Sequence, residues 1–336
     1  MPIASTAVID LAIAVLTEAQ RGGRASSLLG EAISDRRLQP AEAEQLSALV
    51  YGAFRRERRV HAALRELGTE LRGPNQARLG VIGAGLLDGG SVLDLDSARA
   101  TWSEVSWQRF LQADVKVLER AAGAERVAFL GSLPDFLARS LAHEYAEQAD
   151  ALAASLSEPA PRALRVNALK ADVAEARERL EKEGATIAPG ALGRRTLLLQ
   201  GAFNPFVTRA FHEGLFELQD EGSQLACELT APPPRGTVVD VCAGAGGKSL
   251  ALAAALEGRG KVVSLDVDEG KLVELRRRAK RAGAANIQAL GMEETGPLPE
   301  ALQALIGKAD RLLVDAPCSG TGTLRRNPEA RHRLTA

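Results

Sequence analysis

The segment Asp240-Val-Cys-Ala-Gly-Ala-Gly-Gly-Lys-Ser249 decides the fold of the second half of this chain. Its first residues end the apolar run that begins at Thr237, and its last residues begin a stretch with helical spacing. A glycine-rich turn between a strand and a helix is where α/β proteins bring their backbone close to a nucleotide or nucleoside. The segment therefore predicts a doubly wound sheet that binds a ligand at the carboxyl ends of its strands.

The alternation of apolar runs and amphipathic stretches continues along the chain after this segment. Predicted strands cover Thr237 to Val241, Lys261 to Asp266, Ile287 to Leu290 and Arg311 to Asp315. Predicted helices cover Lys248 to Leu256, Glu269 to Arg281 and Leu298 to Ile306. Strands that alternate with helices at this spacing form βαβ units and a parallel sheet.

Two further regions precede this α/β domain, which takes up residues 232–336. Residues 1–156 have apolar side chains three and four positions apart, which predicts an all-helical domain. After the proline-containing stretch from Ser157 to Pro161, residues 157–231 predict a small α/β unit. Its predicted strands are Ala163 to Leu169, Ala185 to Ile187, Thr196 to Leu199 and Gly214 to Leu218, and its predicted helices are Asp172 to Glu183 and Glu221 to Thr230.

Composition excludes several classes of protein. Of the 336 residues, 46% are hydrophobic and 25% are charged, and no apolar run reaches the roughly 20 residues that a membrane span needs. The N-terminus lacks the basic leader of a signal peptide, so a cytoplasmic location is expected. The three cysteines and four histidines lack the spacing of a metal site, so no metal is expected. With a net charge of -1, the protein would need local basic patches to bind nucleic acid.

Two chemistries compete for the glycine-rich segment. A phosphate-binding loop, G-x-x-x-x-G-K-[ST], matches at Gly247-Lys-Ser249, but Cys242 stands where its first glycine should make the tight turn. The nucleoside loop of class I methyltransferases needs an acidic residue followed by alternating glycines. Asp240, Gly244 and Gly246 fit that pattern.

The next predicted strand favours the methyltransferase. That hypothesis requires an acidic residue at the end of this strand, which accepts hydrogen bonds from both ribose hydroxyls of S-adenosylmethionine. Asp266 is that residue, and a nucleotide triphosphatase has no use for it. S-adenosylmethionine is therefore the expected cofactor. Gly244 and Gly246 are expected to let the backbone approach its methionine part, and Asp266 to bind its ribose.

A second motif, Asp315-Ala-Pro-Cys-Ser-Gly-Thr-Gly322, follows the fourth predicted strand, which in a methyltransferase sheet lies beside the first. Its Cys318 indicates covalent chemistry. Carbon 5 of cytosine is too weak a nucleophile to take a methyl group, but addition of a thiolate to carbon 6 makes carbon 5 reactive. Asp315 is expected to hydrogen-bond the base around N3 and N4, so Cys318 and Asp315 are the catalytic candidates. Cys227 is interpreted as an inert buried residue.

These motifs resemble those of the RsmB/Sun family of RNA cytosine-C5 methyltransferases over nearly the whole chain. Asp240 to Lys248 looks like the family's D-x-C-A-A-P-G-G-K, and Asp315 to Pro328 looks like its D-A-P-C-S-x-x-G-x-x-R-R-x-P. Leu218 to Gln224 resembles its Q-D-x-x-S-Q entry helix, and Pro161 to Asn167 the start of its small, RRM-like RNA-binding subdomain. The helical N-terminus is similar to a NusB-like RNA-binding domain. The resemblance implies that the protein methylates RNA, with ribosomal RNA as the expected substrate. It also implies that S-adenosylmethionine is bound by Cys242, Ala243, Gly244, Ala245, Gly246, Gly247, Lys248, Asp266 and Asp315. A monomer is expected.

The resemblance also implies different roles for two cysteines. Cys318 is expected to help release the methylated product, whereas the attacking cysteine lies in a T-C-S motif further along the family's sequences. That motif does not occur before Ala336, and the sheet would end with an unpaired edge, so the chain is expected to be an inactive fragment. Spacing alone would instead make Cys318 the nucleophile, as in DNA cytosine methyltransferases.

One position departs from the family's pattern. Leu290-Gly-Met292 stands where the family usually has G-D, whose acid contacts adenine. Glu293 and Glu294 are the candidate substitutes.

Local basic groups are the candidates for RNA phosphate contacts. They are Arg55, Arg56, Arg58 and Arg59; Arg276 to Arg278 with Lys280 and Arg281; and Arg325 with Arg326. Solvated helix faces are an equal alternative for the first two groups, whereas Arg325 and Arg326 directly follow the catalytic motif and are expected to bind RNA. Two other functions stay open: a catalytically degraded RNA-binding protein, and a P-loop triphosphatase.

Overall fold

A computed structural model describes residues 3–71 and 73–335. The chain divides into two compact units, one formed by residues 1–160 with 319–336 and the other by residues 161–318. The first unit is helical and the second is α/β, which agrees with the predicted combination of α and α/β domains. None of the helices within the described residues has both the length and the apolar character needed to cross a membrane.

The helical unit is built around one long helix. Its helices are α1 (Thr6–Gln20), α2 (Ala25–Asp35), α3 (Pro40–Glu66), α4 (Gln76–Leu87), α5 (Leu95–Thr101), α6 (Trp107–Arg120), α7 (Gly123–Gly131), α8 (Asp135–Tyr145) and α9 (Ala149–Leu156). Helix α3 has 27 residues and begins with a capping box between Gln39 and Glu42, which satisfies backbone N–H groups of the first turn. Its buried residues, such as Leu46 and Leu49, pack against α1, α4 and α6.

Residues 319–335 belong to the core of this helical unit. They form short 3-10 helices at Thr321–Thr323 and Pro328–Arg333, and the side chain of Leu324 is fully buried. The buried guanidinium of Arg331 donates hydrogen bonds to the carbonyl oxygens of Gly131, Leu156, Leu324 and Pro328. Burial lowers the pKa of Arg331 to about 10. The segment is therefore held by backbone acceptors at the ends of α7 and α9.

The α/β unit begins with an antiparallel sheet. Its elements are β1 (Arg162–Val166), α10 (Val173–Lys182), β2 (Thr186–Pro189), β3 (Thr196–Gln200), α11 (Arg209–His212), β4 (Phe216–Leu218) and α12 (Glu221–Thr230). The strand order is β2-β3-β1-β4, which is the split βαβ arrangement of ferredoxin-like domains. Leu164, Leu180 and Phe216 are fully buried between the sheet and its helices. The five predicted elements before α12 are present with shifted boundaries, and α12 has the predicted boundaries.

A parallel sheet follows. Its elements are β5 (Thr237–Val241), α13 (Gly247–Ala255), β6 (Lys261–Asp266), α14 (Glu269–Ala282), β7 (Ile287–Gly291), α15 (Glu300–Gln303) and β8 (Arg311–Val314). The strand order is β7-β6-β5-β8, so β8 lies beside β5 as predicted. Strand order reverses between β5 and β8, and ligands of such sheets bind at this reversal, beyond the carboxyl ends of the strands.

The predicted helix from Leu298 to Ile306 is mostly wrong. Helix α15 has only four residues and ends in a turn that leads to Gly307. Leu302 and Leu305 pack against the sheet, but Leu298 and Ile306 are exposed. Because the apolar residues do not all bury on one face, little packing energy is available to extend this helix.

Candidate functional site

The loop after β5 makes the tight turn that a nucleoside site needs. Cys242 adopts φ +62°, so it takes the left-handed turn conformation without being a glycine. The N–H of Ala243 donates to the carbonyl of Leu265 at 2.8 Å, which ties the loop to β6. Gly246 caps α13 with φ +82°, and a Cβ there would lie 2.6 Å from Cγ of Leu275. Position 246 therefore requires glycine both for its conformation and for its packing.

The backbone of this loop contacts the carboxylate of Asp266, which is 6% exposed. The N–H of Gly244 donates to Oδ2 of Asp266 at 2.7 Å, and the N–H of Asp268 donates to Oδ1 at 2.9 Å. A Cβ at Gly244 would meet no atom within 4 Å, so there is free space above the loop. Each carboxylate oxygen can accept a second hydrogen bond. The two residues therefore fit a ligand with a pair of neighbouring hydroxyls.

Asp240 lies beneath the loop and is buried. Its Oδ2 accepts a hydrogen bond from the hydroxyl of Ser249 at 2.6 Å, and that hydroxyl in turn accepts one from Ser264 at 2.9 Å. Its Oδ1 is buried and has no hydrogen-bond partner among the described residues. Burial raises the pKa of Asp240 to about 6. The sequence placed Asp240 in the cofactor loop, and the structure places its carboxylate under the first turn of α13.

The two sequence motifs meet through an ion pair. Nζ of Lys248 lies 2.5 Å from Oδ2 of Asp315, which follows β8. The side chain of Lys248 is 18% exposed and that of Asp315 is 55% exposed, so the carboxylate remains accessible. Cys318 is exposed and Cys242 is half-buried. Cys227 is buried as interpreted from the sequence, and burial raises the pKa of its thiol.

The end of β7 lacks the acid that the family pattern places there. Gly291 is paired with Asp266 in the sheet, and the side chain of the next residue, Met292, packs into the core. Glu293 and Glu294 are exposed. The carboxylate beside Gly291 comes from α14: Oε2 of Glu269 lies 3.2 Å from the position of a Cβ on Gly291. Its Oε1 pairs with Arg276 at 2.5 Å.

Most of the second basic group in the sequence serves the protein's own structure. Arg278 and Arg281 both pair with the buried carboxylate of Glu217, at 2.9 and 2.5 Å. Arg278 also donates to the carbonyl of Ala245 at 2.8 Å. Arg276 pairs with Glu269, and Arg277 with Glu274. Arg278 and Arg281 therefore serve the structure of the α/β unit, whereas an RNA contact of the exposed Arg276 and Arg277 stays a prediction.

The arginines of the first basic group are also paired with acceptors of the protein itself. Arg56 pairs with Asp88, Arg58 with Asp135, and Arg59 with Asp114, while Arg55 donates to the carbonyl of Arg325 at 2.9 Å. Arg55 and Arg56 are buried. These side chains hold the helical unit together instead of presenting a basic face.

The two arginines that follow the catalytic motif differ from each other. Arg325 donates to the carbonyl oxygens of Glu158 and Pro159, at 3.3 and 2.7 Å. Arg326 is exposed. Their expected contact with RNA stays a prediction.

Sequence reasoning missed the buried residues that attach the ferredoxin-like part to the parallel sheet. Arg165 donates to Gln219 Oε1 and to the carbonyl of Gly247, the latter at 2.6 Å. Burial lowers its pKa to about 10. Asn167 donates to the carbonyls of Gly214 and Ala282, both at 2.8 Å. The signal for Arg165 was its place between the apolar residues of a strand, which indicates burial and not a solvent-exposed RNA contact.

Comparison with known protein families matches two parts of this chain. A family model described as 16S rRNA methyltransferase RsmB/F matches residues 227–336. A second, described as Methyltr_RsmF/B-like, ferredoxin-like domain, matches residues 133–204. The second description agrees with the β2-β3-β1-β4 order of the antiparallel sheet.

Curated relatives extend the similarity over nearly the whole chain. Ribosomal RNA small subunit methyltransferase B of Thermus thermophilus is 32% identical over 337 residues, which cover 97% of this chain and 74% of that protein. The probable ribosomal RNA small subunit methyltransferase B of Bacillus subtilis is 35% identical over 211 residues, or 62% of this chain and 46% of that protein. The match thus spans about half the length of that relative. The 25S rRNA (cytosine-C(5))-methyltransferase NSUN5 of Arabidopsis thaliana is 31% identical over 164 residues, or 49% of this chain and 28% of that protein.

Solved structures show the same fold. The crystal structure of PH0851 aligns with a TM-score of 0.73 at 24% identity, covering 98% of this chain and 78% of that one. At this identity the likeness concerns the fold alone. The sequence identity and coverage of the Thermus protein, together with the two family matches, show that this chain belongs to the RsmB/F family of ribosomal RNA methyltransferases.

Proposed function

We propose that this chain binds S-adenosylmethionine at the carboxyl ends of β5 and β6, and that the protein methylates carbon 5 of a cytosine in RNA, with ribosomal RNA as the expected substrate. The observation that carries the proposal is the carboxylate of Asp266, which accepts a hydrogen bond from Gly244 at a loop with free space beside that glycine. Family membership supports the reaction class, and the Arabidopsis relative, a 25S rRNA (cytosine-C(5))-methyltransferase, supports carbon 5 of cytosine as the target.

The residues of the loop fit the cofactor. Asp266 would accept hydrogen bonds from both ribose hydroxyls, and the backbone from Cys242 to Lys248 would line the rest of the cofactor. Glu269, the carboxylate beside Gly291, takes the place of the missing acid and would accept a hydrogen bond from the adenine amino group. When bound, S-adenosylmethionine supplies a methyl group carried on a sulfonium sulfur.

Asp315 and Lys248 would hold the target base. The ammonium of Lys248 fixes the carboxylate of Asp315 from one side, and more than half of that carboxyl side chain stays exposed to accept a hydrogen bond from the cytosine amino group. This arrangement orients carbon 5 without requiring Asp315 to move. It also engages Lys248, whose counterpart in a phosphate-binding loop must be available to the phosphates.

Cys318 would act after methyl transfer. In the proposed sequence, another thiolate adds to carbon 6 of the base and the electron pair moves to carbon 5, which then takes the methyl group. Afterwards carbon 5 loses its proton, the bond between sulfur and carbon 6 breaks, and the double bond forms again. Cys318, which is exposed and follows the base-holding Asp315 by three residues, assists this last step.

Calorimetry with S-adenosylhomocysteine tests the cofactor site. Asp266→Ala should weaken binding by roughly 1.5 to 3 kcal/mol, because two ribose hydroxyls lose a charged acceptor. Asp310→Ala is the matched control, since Asp310 lies at the amino edge of the same sheet, where it accepts from Thr237. Equal affinity of the wild type and Asp266→Ala would exclude this ribose site, and magnesium-dependent ATP binding in its place would restore the triphosphatase hypothesis.

RNA that contains 5-fluorocytidine tests the role of Cys318, because fluorine at carbon 5 prevents the final elimination and leaves the attacking cysteine bound to RNA. Because Cys318 is proposed to act after the attack on carbon 6, any heat-stable protein–RNA band on a denaturing gel should form with Cys318→Ser as it does with the wild type. A band that Cys318→Ser abolishes would show that Cys318 is the nucleophile. In a version of the protein with the T-C-S motif, Cys318→Ala should accumulate a covalent adduct even on ordinary RNA.

A further inference from the structure

Two neighbouring arginines differ from the paired basic groups described above. Arg194 and Arg195 lie in the connection between β2 and β3, and both are exposed. Neither guanidinium has a carboxylate or other hydrogen-bond partner within the part of the chain that the structure describes. Their charge is therefore available to a ligand.

The hairpin that carries them is fixed in place by α12. The N–H of Leu192 donates to Oε1 of Glu221 at 3.0 Å, and the hydroxyl of Thr196 donates to Oε1 of Gln224 at 2.8 Å. A Cβ at Gly193 would lie only 2.3 Å from Oγ1 of Thr196, so the turn closes without room for a side chain. Such a turn presents Arg194 and Arg195 in a defined position, which lowers the entropy cost of binding.

Behind the two arginines lies a cavity of about 560 Å³. It is bounded by the hairpin, β1, α12 and α13, and the α13 side consists of Ala251, Ala254 and Ala255. Its charged lining residues are Arg165, Arg194, Arg195 and Glu228, so positive charge is in excess.

Arg165 adds a buried donor to this lining. Its side chain is almost completely enclosed, and its Nε is buried with no hydrogen-bond partner among the described residues. A buried donor without an acceptor costs free energy, which an anion that enters the cavity would recover. The Nη1 of the same guanidinium donates hydrogen bonds to Oε1 of Gln219 and to the carbonyl of Gly247.

We propose that this hairpin and cavity bind the sugar–phosphate backbone of the RNA substrate, with phosphates at Arg194 and Arg195. The inference rests on the proposed function for the nature of the substrate. Two adjacent, exposed guanidinium groups suit a chain of successive phosphates, and the exposed Leu192 beside them offers an apolar contact to a sugar or base.

The test compares two double variants that remove the same charge. Arg194→Gln with Arg195→Gln changes the hairpin, whereas Arg235→Gln with Arg259→Gln changes two exposed arginines near the amino edge of the parallel sheet. Binding of a fluorescently labelled, single-stranded 20-nucleotide RNA is measured by anisotropy between 50 and 200 mM salt. Each lost phosphate contact reduces the salt slope by roughly 0.7, so the hairpin variant should lose about 1.4 and bind about tenfold more weakly.

The control variant should keep the wild-type slope, and both variants should keep wild-type affinity for S-adenosylhomocysteine, which shows that the α/β unit is folded. An unchanged slope for the hairpin variant would overturn the inference. Equal losses in both double variants would also overturn it, because they would reflect net charge alone. If the hairpin variant keeps the wild-type salt slope while the wild-type chain binds both RNA and S-adenosylhomocysteine, the proposed function stands without this site. If the wild-type chain binds no RNA, both proposals fall.

Discussion

Helix α3 and the β2–β3 hairpin both carry adjacent arginines, but in opposite surroundings. In α3, Arg55, Arg56, Arg58 and Arg59 all have acceptors within the helical unit. In the hairpin, Arg194 and Arg195 have none among the described residues. The difference teaches that a run of basic residues does not by itself indicate a nucleic-acid surface. A basic run indicates a nucleic-acid surface only where the folded chain does not already provide the counter-charge.

Substitution of the paired, buried arginines should change the free energy of unfolding, whereas substitution of the unpaired, exposed arginines should change RNA affinity. The strongest inward case is the pair between Arg59 and Asp114, which is bidentate at 2.9 and 2.6 Å. Asp114 is 3% exposed, so its carboxylate depends on Arg59 for its counter-charge. Removing one member of such a pair costs more than the pair contributes, because the remaining charge stays buried.

We therefore expect Arg59→Ala to lower the free energy of unfolding by about 3 to 5 kcal/mol, as measured by urea denaturation. RNA affinity at low temperature, where the variant is folded, should be unchanged. The double variant Arg59→Met with Asp114→Leu should recover most of the lost stability, since no unpaired charge remains. A stable Arg59→Ala variant with weakened RNA binding would instead make α3 an RNA-binding surface and remove the contrast with the hairpin.

The α/β fold was predictable from the sequence because its determinants are local. The strands β5 and β6 have the predicted boundaries, since apolar β-branched runs end at a glycine loop in one case and at Asp266 in the other. The prediction that β8 lies beside β5 came from the strand order of class I methyltransferase sheets, and the pairing of these strands confirms it. Short α15 was not predictable, because its length depends on which apolar side chains find a partner in the folded chain.

The candidate site was predictable in its parts but not in its connections. The residues of the loop and Asp266 lie together as expected, since strand ends of a parallel sheet share one edge. The pair between Lys248 and Asp315 joins residues 67 positions apart, and no spacing rule connects them. For the same reason, spacing offered only Glu293 and Glu294 near Gly291, and it could not show that the carboxylate of Glu269 on α14 also lies beside this residue.

Asp240 is a third case, because its carboxylate is buried but only one of its two oxygens accepts a hydrogen bond within the described residues. One oxygen accepts from Ser249, and the other has no partner in the described part of the chain. Burial raises its pKa from 3.8 to about 6. The folded state therefore binds more protons than the unfolded state between pH 4 and pH 6, and stability must fall as pH rises through this window.

Asp240→Asn removes this proton linkage, so the stability difference between wild type and variant should change with pH. From the pKa shift, the wild type should lose roughly 3 kcal/mol relative to the variant between pH 4 and pH 7, measured by denaturation without cofactor. Ser249→Ala should move the midpoint of this loss to higher pH, because the hydrogen bond from Ser249 lowers the pKa of Asp240. Stability curves of wild type and Asp240→Asn that run parallel across this range would show that the carboxylate is hydrated in solution. Asp240 would then belong with the solvent-accessible charges at the carboxyl edge of the parallel sheet, and not with the buried charges that serve only the structure.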